Sequence, residues 1–288
     1  MKSGQTHRFA FMALLALAAC TRGGDEDPSV VLERAASKAG QLQSAAFEAD
    51  FTYETPDGIS AKGTLRGVLT EGGRQSSFTL NADLLVPQDG FDPTVRINAD
   101  VIVAGENEAY LKLSALDGSV PLLPGIGLLD ESMLDRWLSV GQATLTGSAI
   151  SPDPSFIAMQ TRVLAVTNDR SYEDVDDERC YAYDVTIDPA KMLSFLERTA
   201  AEQGQAFDRV AAEAFIASYD ARGTIWIDAA TSVIRRITWI FEPVDEALGA
   251  SASLSVHLSR HNEPVEITPP PDAEPFSDAL PGSSLPAL

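Results

Sequence analysis

Alternation of apolar and polar residues over much of the chain is the feature that most restricts its fold. Between residues 47 and 54, every second residue is apolar and the residues between are polar. This period of two is typical of a strand with one face on a core and the other in water. Because the connections are short, we expect antiparallel neighbours. Similar alternation occurs near residues 62–70, 78–86, 95–103, 109–113, 181–187, 224–228, 233–241 and 250–260.

Helical periodicity interrupts the strands at the start, in the middle and two-thirds of the way along, which predicts an α+β fold. The first helix is predicted over residues 28–44, with Asp27 or Ser29 as its cap. Residues 168–178 are expected to form an acidic loop. Further helices are predicted after Asp130 (Leu134, Trp137, Leu138), from Asp153 to about Val166, after Asp188-Pro189 (Met192, Leu193, Leu196) and over 207–216 (Phe207, Val210, Phe215, Ile216).

The net charge of the chain excludes nucleic acid as a partner, and the chain still has enough apolar residues to form a core. The formal charge is −21 at pH 7, so the surface repels nucleic acid and anionic lipid headgroups. The hydrophobic fraction of 44% is ample for a sizeable core. We therefore expect no nucleic-acid partner, and any attachment to a membrane has to come from a source other than charge.

The first 19 residues have the layout of a secretory signal peptide. Lys2 and Arg8 precede an apolar run that begins at Phe9, is too short to span a bilayer comfortably, and ends in small residues. Removal of this segment would leave a body with a formal charge of −23, since the segment contains no acidic residue. Residues 20–28 are polar and flexible, which favours a tether rather than part of a core.

The end of that segment, Leu17-Ala18-Ala19-Cys20, resembles the lipobox of bacterial lipoproteins. The resemblance implies that Cys20 becomes the first mature residue and carries a diacylglyceryl group and acyl chains such as palmitate. It also implies anchoring to a membrane through those chains, in the bacterial cell envelope and outside the cytoplasm. Thr21 favours the periplasmic face of the outer membrane in a cell with two membranes.

Three later stretches resemble the LolA/LolB lipoprotein-carrier superfamily, and within it lipoproteins of the LppX/LprG kind. They are residues 30–53, the hairpin segments 223–228 and 233–239, and the closing 262–267. The resemblance implies a curved antiparallel sheet that forms an open half β-barrel, with helices covering its concave side and a cavity for acyl chains. One such domain would cover residues 29–268, and the proline-rich 269–288 is predicted to be a disordered tail.

Two interpretations of the barrel interior remain open. A curved sheet with small inward residues (Ala49, Gly67, Ala82, Ala99, Ala250, Ala252) leaves a cavity, or close packing fills the same space. The cavity interpretation gives the candidate ligand contacts Phe47, Phe51, Phe78, Leu80, Val95, Ile97, Tyr183, Ile237 and Trp239. The apolar loop 120–129 either caps the barrel or forms a lid or mouth, with Leu122, Leu123, Ile126 and Leu128 as candidates.

No set of residues predicts catalysis, a metal site or a cofactor. His257 and His261, four apart on a strand, would lie roughly 13 Å apart, too far for one metal ion, and are expected on a solvated face. There is no Gly-x-Ser-x-Gly motif. Cys180 is expected to be an inert thiol. Arg235, on an apolar face, has to meet a ligand headgroup or pair with an acid.

These patterns together predict a membrane-anchored lipoprotein that binds a lipid or other hydrophobic molecule in a barrel cavity, for carriage or envelope assembly. The alternative is a structural or protein-interaction lipoprotein without a ligand. An enzyme is not expected, and the sequence identifies no particular protein partner.

Overall fold

The structure is a computed structural model that describes residues 26–87, 94–105, 108–117, 120–121, 128–129, 133–140, 157–158, 161–202, 204–247 and 249–276. The signal segment, Cys20 and the tether as far as Asp25 lie outside the described residues, as do residues 277–288. No helix in the described part of the chain combines the length and the hydropathy needed to cross a membrane.

Three α-helices begin at aspartate caps, and the sequence predicts two of these caps, Asp27 and Asp188. The Asp27 carboxylate accepts a hydrogen bond from the Ser29 amide at 2.9 Å, and Asp208 accepts one from the Ala211 amide at 3.0 Å. Asp188 accepts from the amides of Ala190 and Lys191. These carboxylates satisfy amides that have no partner within the helix. The helices are α1 (Pro28–Ala39), α2 (Pro189–Glu202) and α3 (Arg209–Ala217).

Strands make up most of the remaining described chain, and most of the predicted alternating stretches are among them. The strands are β1 (Ala45–Glu54), β2 (Ser60–Thr70), β3 (Gln75–Leu85), β4 (Thr94–Gly105), β5 (Glu108–Asp117), β6 (Val120–Pro121), β7 (Leu128–Leu129), β8 (Trp137–Val140), β9 (Leu164–Val175), β10 (Glu178–Ile187), β11 (Tyr219–Asp228), β12 (Ile234–Pro243), β13 (Ser251–Ser259) and β14 (Glu274–Pro275).

Twelve of these strands form one unclosed sheet, in the order β14-β8-β5-β4-β3-β2-β1-β13-β12-β11-β10-β9. All neighbours are antiparallel except β14 and β8, so the sheet is mixed. In this order β4 and β9 lie eight strands apart, about 38 Å along a flat sheet. Val101 of β4 and Leu164 of β9 belong to one buried cluster, which also contains Val31 and Ala35 of α1. The sheet is curved and unclosed, and the predicted open half-barrel of the α+β class is confirmed.

Helix α1 packs into the concave side of the sheet. Val31 and Ala35 are fully buried, and they join Phe47 of β1 and Trp239 of β12 in the main hydrophobic cluster. A second, smaller cluster lies at the β14 end of the sheet, around Val95, Ala99, Ala109, Leu113, Met133, Leu138, Val140 and Phe276.

Two expectations about the middle of the chain are wrong. The segment with Trp137 and Leu138 is strand β8, paired with β5, and not a helix. Residues 168–178 are not a loop, because β9 continues to Val175 and pairs with β10. Asp176 and Asp177 form the turn with φ of 52° and 63°, the left-handed region that aspartate tolerates.

Two predicted boundaries also shift. Residues 157–158 and 161–162 are helical, but β9 begins at Leu164, before the predicted helix end near Val166. The domain continues past residue 268, because β14 pairs with β8 and the buried Phe276 belongs to the second cluster. The predicted tail therefore starts too early.

Candidate functional site: an apolar cavity beside α2 and α3

A cavity of about 800 Å³ lies between α2, α3 and one end of the curved sheet. Its floor is formed by the ends of β1 and β10–β13, and its two sides are the helices. This volume lies within the range of sites that bind a small organic molecule. The lining residues are Tyr53, Thr186, Ile187, Pro189, Met192, Leu193, Leu196, Glu213, Phe215, Ile216, Ala217, Tyr219, Asp220, Ala221, Phe241, Ala250 and Ala252.

Small residues on the sheet leave this space open. Ala252 lies opposite Tyr53 on one neighbouring strand and Phe241 on the other, and Ala250 lies just before β13. Alanine side chains project little from the sheet, so the apolar side chains of α2 face the floor across a gap. The sequence includes both alanines among the small inward residues expected to leave a cavity, and here that signal locates the space correctly.

Helix α3 forms a wall that the fold itself leaves largely uncovered. None of its residues is buried, although most of them are apolar. Phe215, which lines the cavity, is 66% exposed, and Val210, which lies outside the lining, is 77% exposed. The Phe215 ring lies against Tyr219, with ring centroids 5.6 Å apart. A helix normally buries its apolar face, so α3 presents an uncovered apolar surface beside the cavity.

The nine predicted ligand contacts lie elsewhere. Five of them, Phe47, Phe78, Tyr183, Ile237 and Trp239, are buried in the main cluster, and Val95 and Ile97 pack in the second. Phe51 and Leu80 are half-buried. None of the nine lines the cavity beside α2 and α3. That these nine residues contact a ligand stays a prediction. The residues that the structure brings together around the cavity are a different set.

Aromatic rings fill the positions where glycines suggest a gap. A Cβ atom on Gly67 would lie 2.5 Å from Cβ of Phe78, and one on Gly63 would lie 2.7 Å from the Phe51 ring. The missing side chains therefore allow rings on neighbouring strands to pack against the backbone. The sequence alone does not distinguish a glycine that is covered by an aromatic residue of a neighbouring strand from a small residue that faces a cavity.

The remaining site candidates fall mostly outside the described residues. Cys20 does, and so do Leu122, Leu123 and Ile126. Leu128 lies in β7, which pairs with β6 through Pro121 and Leu128. A lid or mouth at this loop stays a prediction.

A buried ion pair on the outer face near β10 shows which of the two expected partners Arg235 has, a ligand headgroup or an acid. Its guanidinium donates to Asp228 at 2.8 Å, and the two side chains are 17% and 3% exposed. Asp228 also accepts hydrogen bonds from the amides of Ala230 and Thr231. Burial works to raise the pKa of Asp228, but the Arg235 and amide hydrogen bonds outweigh it and hold that pKa below its ordinary value. Arg235 thus pairs with an acid.

Neighbouring groups on this face are partly buried as well. Burial raises the pKa of the Cys180 thiol to about 11, which agrees with an inert thiol. The expectation of a solvated face is wrong for both histidines, which are half-buried. His257 Nε2 lies 2.5 Å from Asp176, and His261 contacts the Ile234 carbonyl. Burial lowers the pKa of His261. Within the described ranges, no three His, Cys, Asp or Glu residues are grouped to hold a metal ion.

No protein-family model matches the sequence, and no curated protein matches it. Solved structures similar to this chain include LprF from Mycobacterium bovis, with 14% identity, coverage of 85% of this chain and 97% of that chain, and a TM-score of 0.45. Lipoprotein LppX from Mycobacterium tuberculosis has 18% identity, 84% and 100% coverage and a TM-score of 0.38. A LolA superfamily protein from Nitrosomonas europaea has 11% identity, 82% and 94% coverage and a TM-score of 0.25.

Proposed function

We propose that this protein binds one lipid or similar hydrophobic molecule in the cavity beside α2 and α3, for carriage or assembly in a bacterial cell envelope. The observation that carries the proposal is the apolar cavity of about 800 Å³, together with the exposed apolar wall formed by α3. The protein acts by binding alone. Among the lining residues that the structure describes, no nucleophile is paired with a base, so no catalytic step is part of the proposal.

Burial of hydrocarbon supplies the affinity. Each CH₂ group that leaves water contributes about 0.8 kcal/mol. Ten such groups contribute roughly 8 kcal/mol, equivalent to a micromolar Kd before the cost of ordering the chain is subtracted. A long acyl chain is therefore sufficient for useful binding, and exchange with a membrane remains possible.

Anchoring places the cavity at a membrane surface. In this proposal Cys20 carries the acyl chains, and two or more chains hold a protein stably on a bilayer. The acidic body is repelled by anionic headgroups, so it stays in solution at the end of its tether. The proposed location is outside the cytoplasm, on the periplasmic face of the outer membrane where a cell has two membranes.

Native mass spectrometry after mild extraction of the full-length protein tests the proposal directly. We expect a fraction of the protein to carry one hydrophobic molecule in addition to its anchor. Purified body lacking residues 1–20 should bind the neutral fluorescent probe N-phenyl-1-naphthylamine with one-to-one stoichiometry. Absence of any bound molecule, together with no probe binding, would contradict the proposal.

The alternative function, interaction with a protein, has one observation in its favour. Strand β9 is at the edge of the sheet and pairs, among the described strands, only with β10. An edge strand of this length can accept a strand from another chain. Cross-linking of the full-length protein in cells would identify such a partner. A stable partner that contacts β9, in protein free of hydrophobic molecules, would favour this alternative.

A further inference from the structure

We infer that the cavity mouth prefers hydrophobic molecules with a cationic polar end, such as an amine or quaternary ammonium, and disfavours those with an anionic end. This inference rests on the proposed function and names the ligand class of the same cavity. It concerns the charge of the polar end, while the apolar lining accounts for binding of the hydrocarbon.

The charged residues that line the cavity are carboxylates. Among the described lining residues, Glu213 of α3 and Asp220 of β11 are the ones charged at neutral pH. Their side chains are 51% and 58% exposed, so they lie at the mouth rather than in the apolar interior. A bound molecule with its hydrocarbon inside would bring its polar end to these two groups.

The arginines that pair with these two carboxylates also pair with other acids. Arg209 lies 2.9 Å from Glu213 and 3.7 Å from Glu197. Arg222 lies 3.0 Å from Asp220 and also contacts Glu242 closely. Four carboxylates thus surround two guanidinium groups, and this group of six side chains has a net charge of −2. An anionic end has to displace a carboxylate from an arginine, whereas a cationic end adds to an excess of negative charge.

The size of the preference follows from the exposure of these groups. Charges a few ångströms apart at a hydrated surface interact weakly, so we expect about tenfold tighter binding of a cationic than of an anionic molecule of equal chain length. The preference should shrink in high salt, because the Debye length falls to about 3 Å at 1 M. An uncharged molecule should bind with intermediate affinity.

Competition at the cavity tests this inference. Body lacking residues 1–20 is loaded with N-phenyl-1-naphthylamine, and the probe is displaced with dodecyltrimethylammonium, dodecyldimethylamine oxide or dodecanoate, each below its micelle concentration. The same series is measured for E213Q/D220N and for the control E266Q/D272N. The control changes the net charge equally at exposed positions that follow the opposite end of β13 from the cavity.

The expected result is a cation-to-anion affinity ratio of about tenfold that falls severalfold in E213Q/D220N and is retained in E266Q/D272N. Equal affinities, a preference for dodecanoate, or an equal loss in both variants would overturn the inference, since an equal loss assigns the effect to net charge. Failure of the probe and of all three competitors to bind would instead overturn the proposed function.

Discussion

The indole ring of Trp239 packs against Gly223, the residue directly opposite it on β11, so closely that a Cβ atom on Gly223 would lie 3.0 Å from the ring. The same Cβ atom would lie 2.2 Å from the Thr238 carbonyl oxygen. This contact closes the part of the concave interior where the sequence suggests that Trp239 faces a ligand. Trp239 is buried in the main cluster as a result.

The variant Gly223→Ala should therefore be destabilised. The added methyl group has to push the indole and the neighbouring backbone apart, at a cost of about 1–3 kcal/mol in the free energy of unfolding. Urea denaturation measures this change. Gly105→Ala is the matched control, because a Cβ atom there meets nothing within 4 Å, and we expect a change below about 0.5 kcal/mol. Equal effects in the two variants would contradict the packing described here.

Removal of the charge on Asp228 should destabilise the protein in a pH-dependent way. Asp228→Asn removes the nearer and more buried of the two carboxylates that pair with Arg235 and leaves only the exposed Glu178 at 4.0 Å, so the expected loss at pH 7 is about 3 kcal/mol. Since the folded-state pKa of Asp228 lies below the unfolded value of 3.8, the stabilisation is present above about pH 4 and is lost as the pH falls below it.

Urea denaturation of wild type and Asp228→Asn between pH 2.5 and 7 checks this prediction. The difference in free energy of unfolding should be largest at neutral pH and shrink in acid. Glu48→Gln is the control, because Glu48 and Arg66 form an exposed pair that contributes less than about 1 kcal/mol. A constant difference across the pH range would be inconsistent with a lowered pKa at Asp228.

Enlarging a residue on the cavity floor should block binding. Ala252→Phe places a ring in the open space between β13 and α2, so the affinity for N-phenyl-1-naphthylamine should fall at least tenfold while the fold is retained. Fluorescence titration measures the affinity and circular dichroism checks the fold. Ala214→Phe adds the same atoms at an exposed position of α3 and should leave the affinity unchanged. If Ala252→Phe binds like wild type, the probe binds elsewhere.

Phe215 should matter more for binding than for stability. Because its side chain is 66% exposed, Phe215→Ala should lower the free energy of unfolding by less than about 1 kcal/mol. It should weaken probe binding severalfold, because the ring lines the cavity. Val210→Ala, on the same helix but outside the lining, is the control for both measurements. A large loss of stability in Phe215→Ala without a loss of affinity would assign the ring a structural role instead.

Cys180 should react slowly with thiol reagents in the folded protein. With a pKa of about 11, roughly one thiol in a thousand is ionised at pH 8, about a hundredfold fewer than for an unperturbed thiol. Absorbance after addition of Ellman's reagent to the body lacking residues 1–20 follows the reaction. The signal should develop rapidly after unfolding in urea. Complete reaction of the folded protein within minutes would show that the thiol is accessible and ionised.

The alternating stretches and aspartate caps allowed much of the architecture to be predicted. Short connections between half-polar strands favour antiparallel neighbours, and that reasoning holds from β1 to β5 and from β11 to β13. It failed for β9, whose exposed polar residues read as a loop. The residues of β9 have a low intrinsic preference for strands, but backbone pairing with β10 across a two-aspartate turn holds them in one. Strand formation depends strongly on such context.

The candidate site was only partly predictable. The small residues Ala250 and Ala252 marked the cavity floor, but Gly67 gave the same signal and is covered by Phe78. The unusual composition of α3 was a second usable signal, since Phe215 and Ile216 appear in the sequence as an apolar helical face. Nothing in the local pattern indicates that this face stays exposed beside a cavity.

The sequence by itself determined which residues share a face in most of the predicted strands, because side chains alternate along an extended backbone. It also determined where α1 and α2 begin, through the capping residues Asp27 and Asp188. Only the tertiary structure decided where the interior is filled. Whether a part of the interior is filled depends on which aromatic ring packs against which neighbouring strand. It also depends on the position of α2 and α3 over one end of the sheet. Both are contacts between residues far apart in sequence.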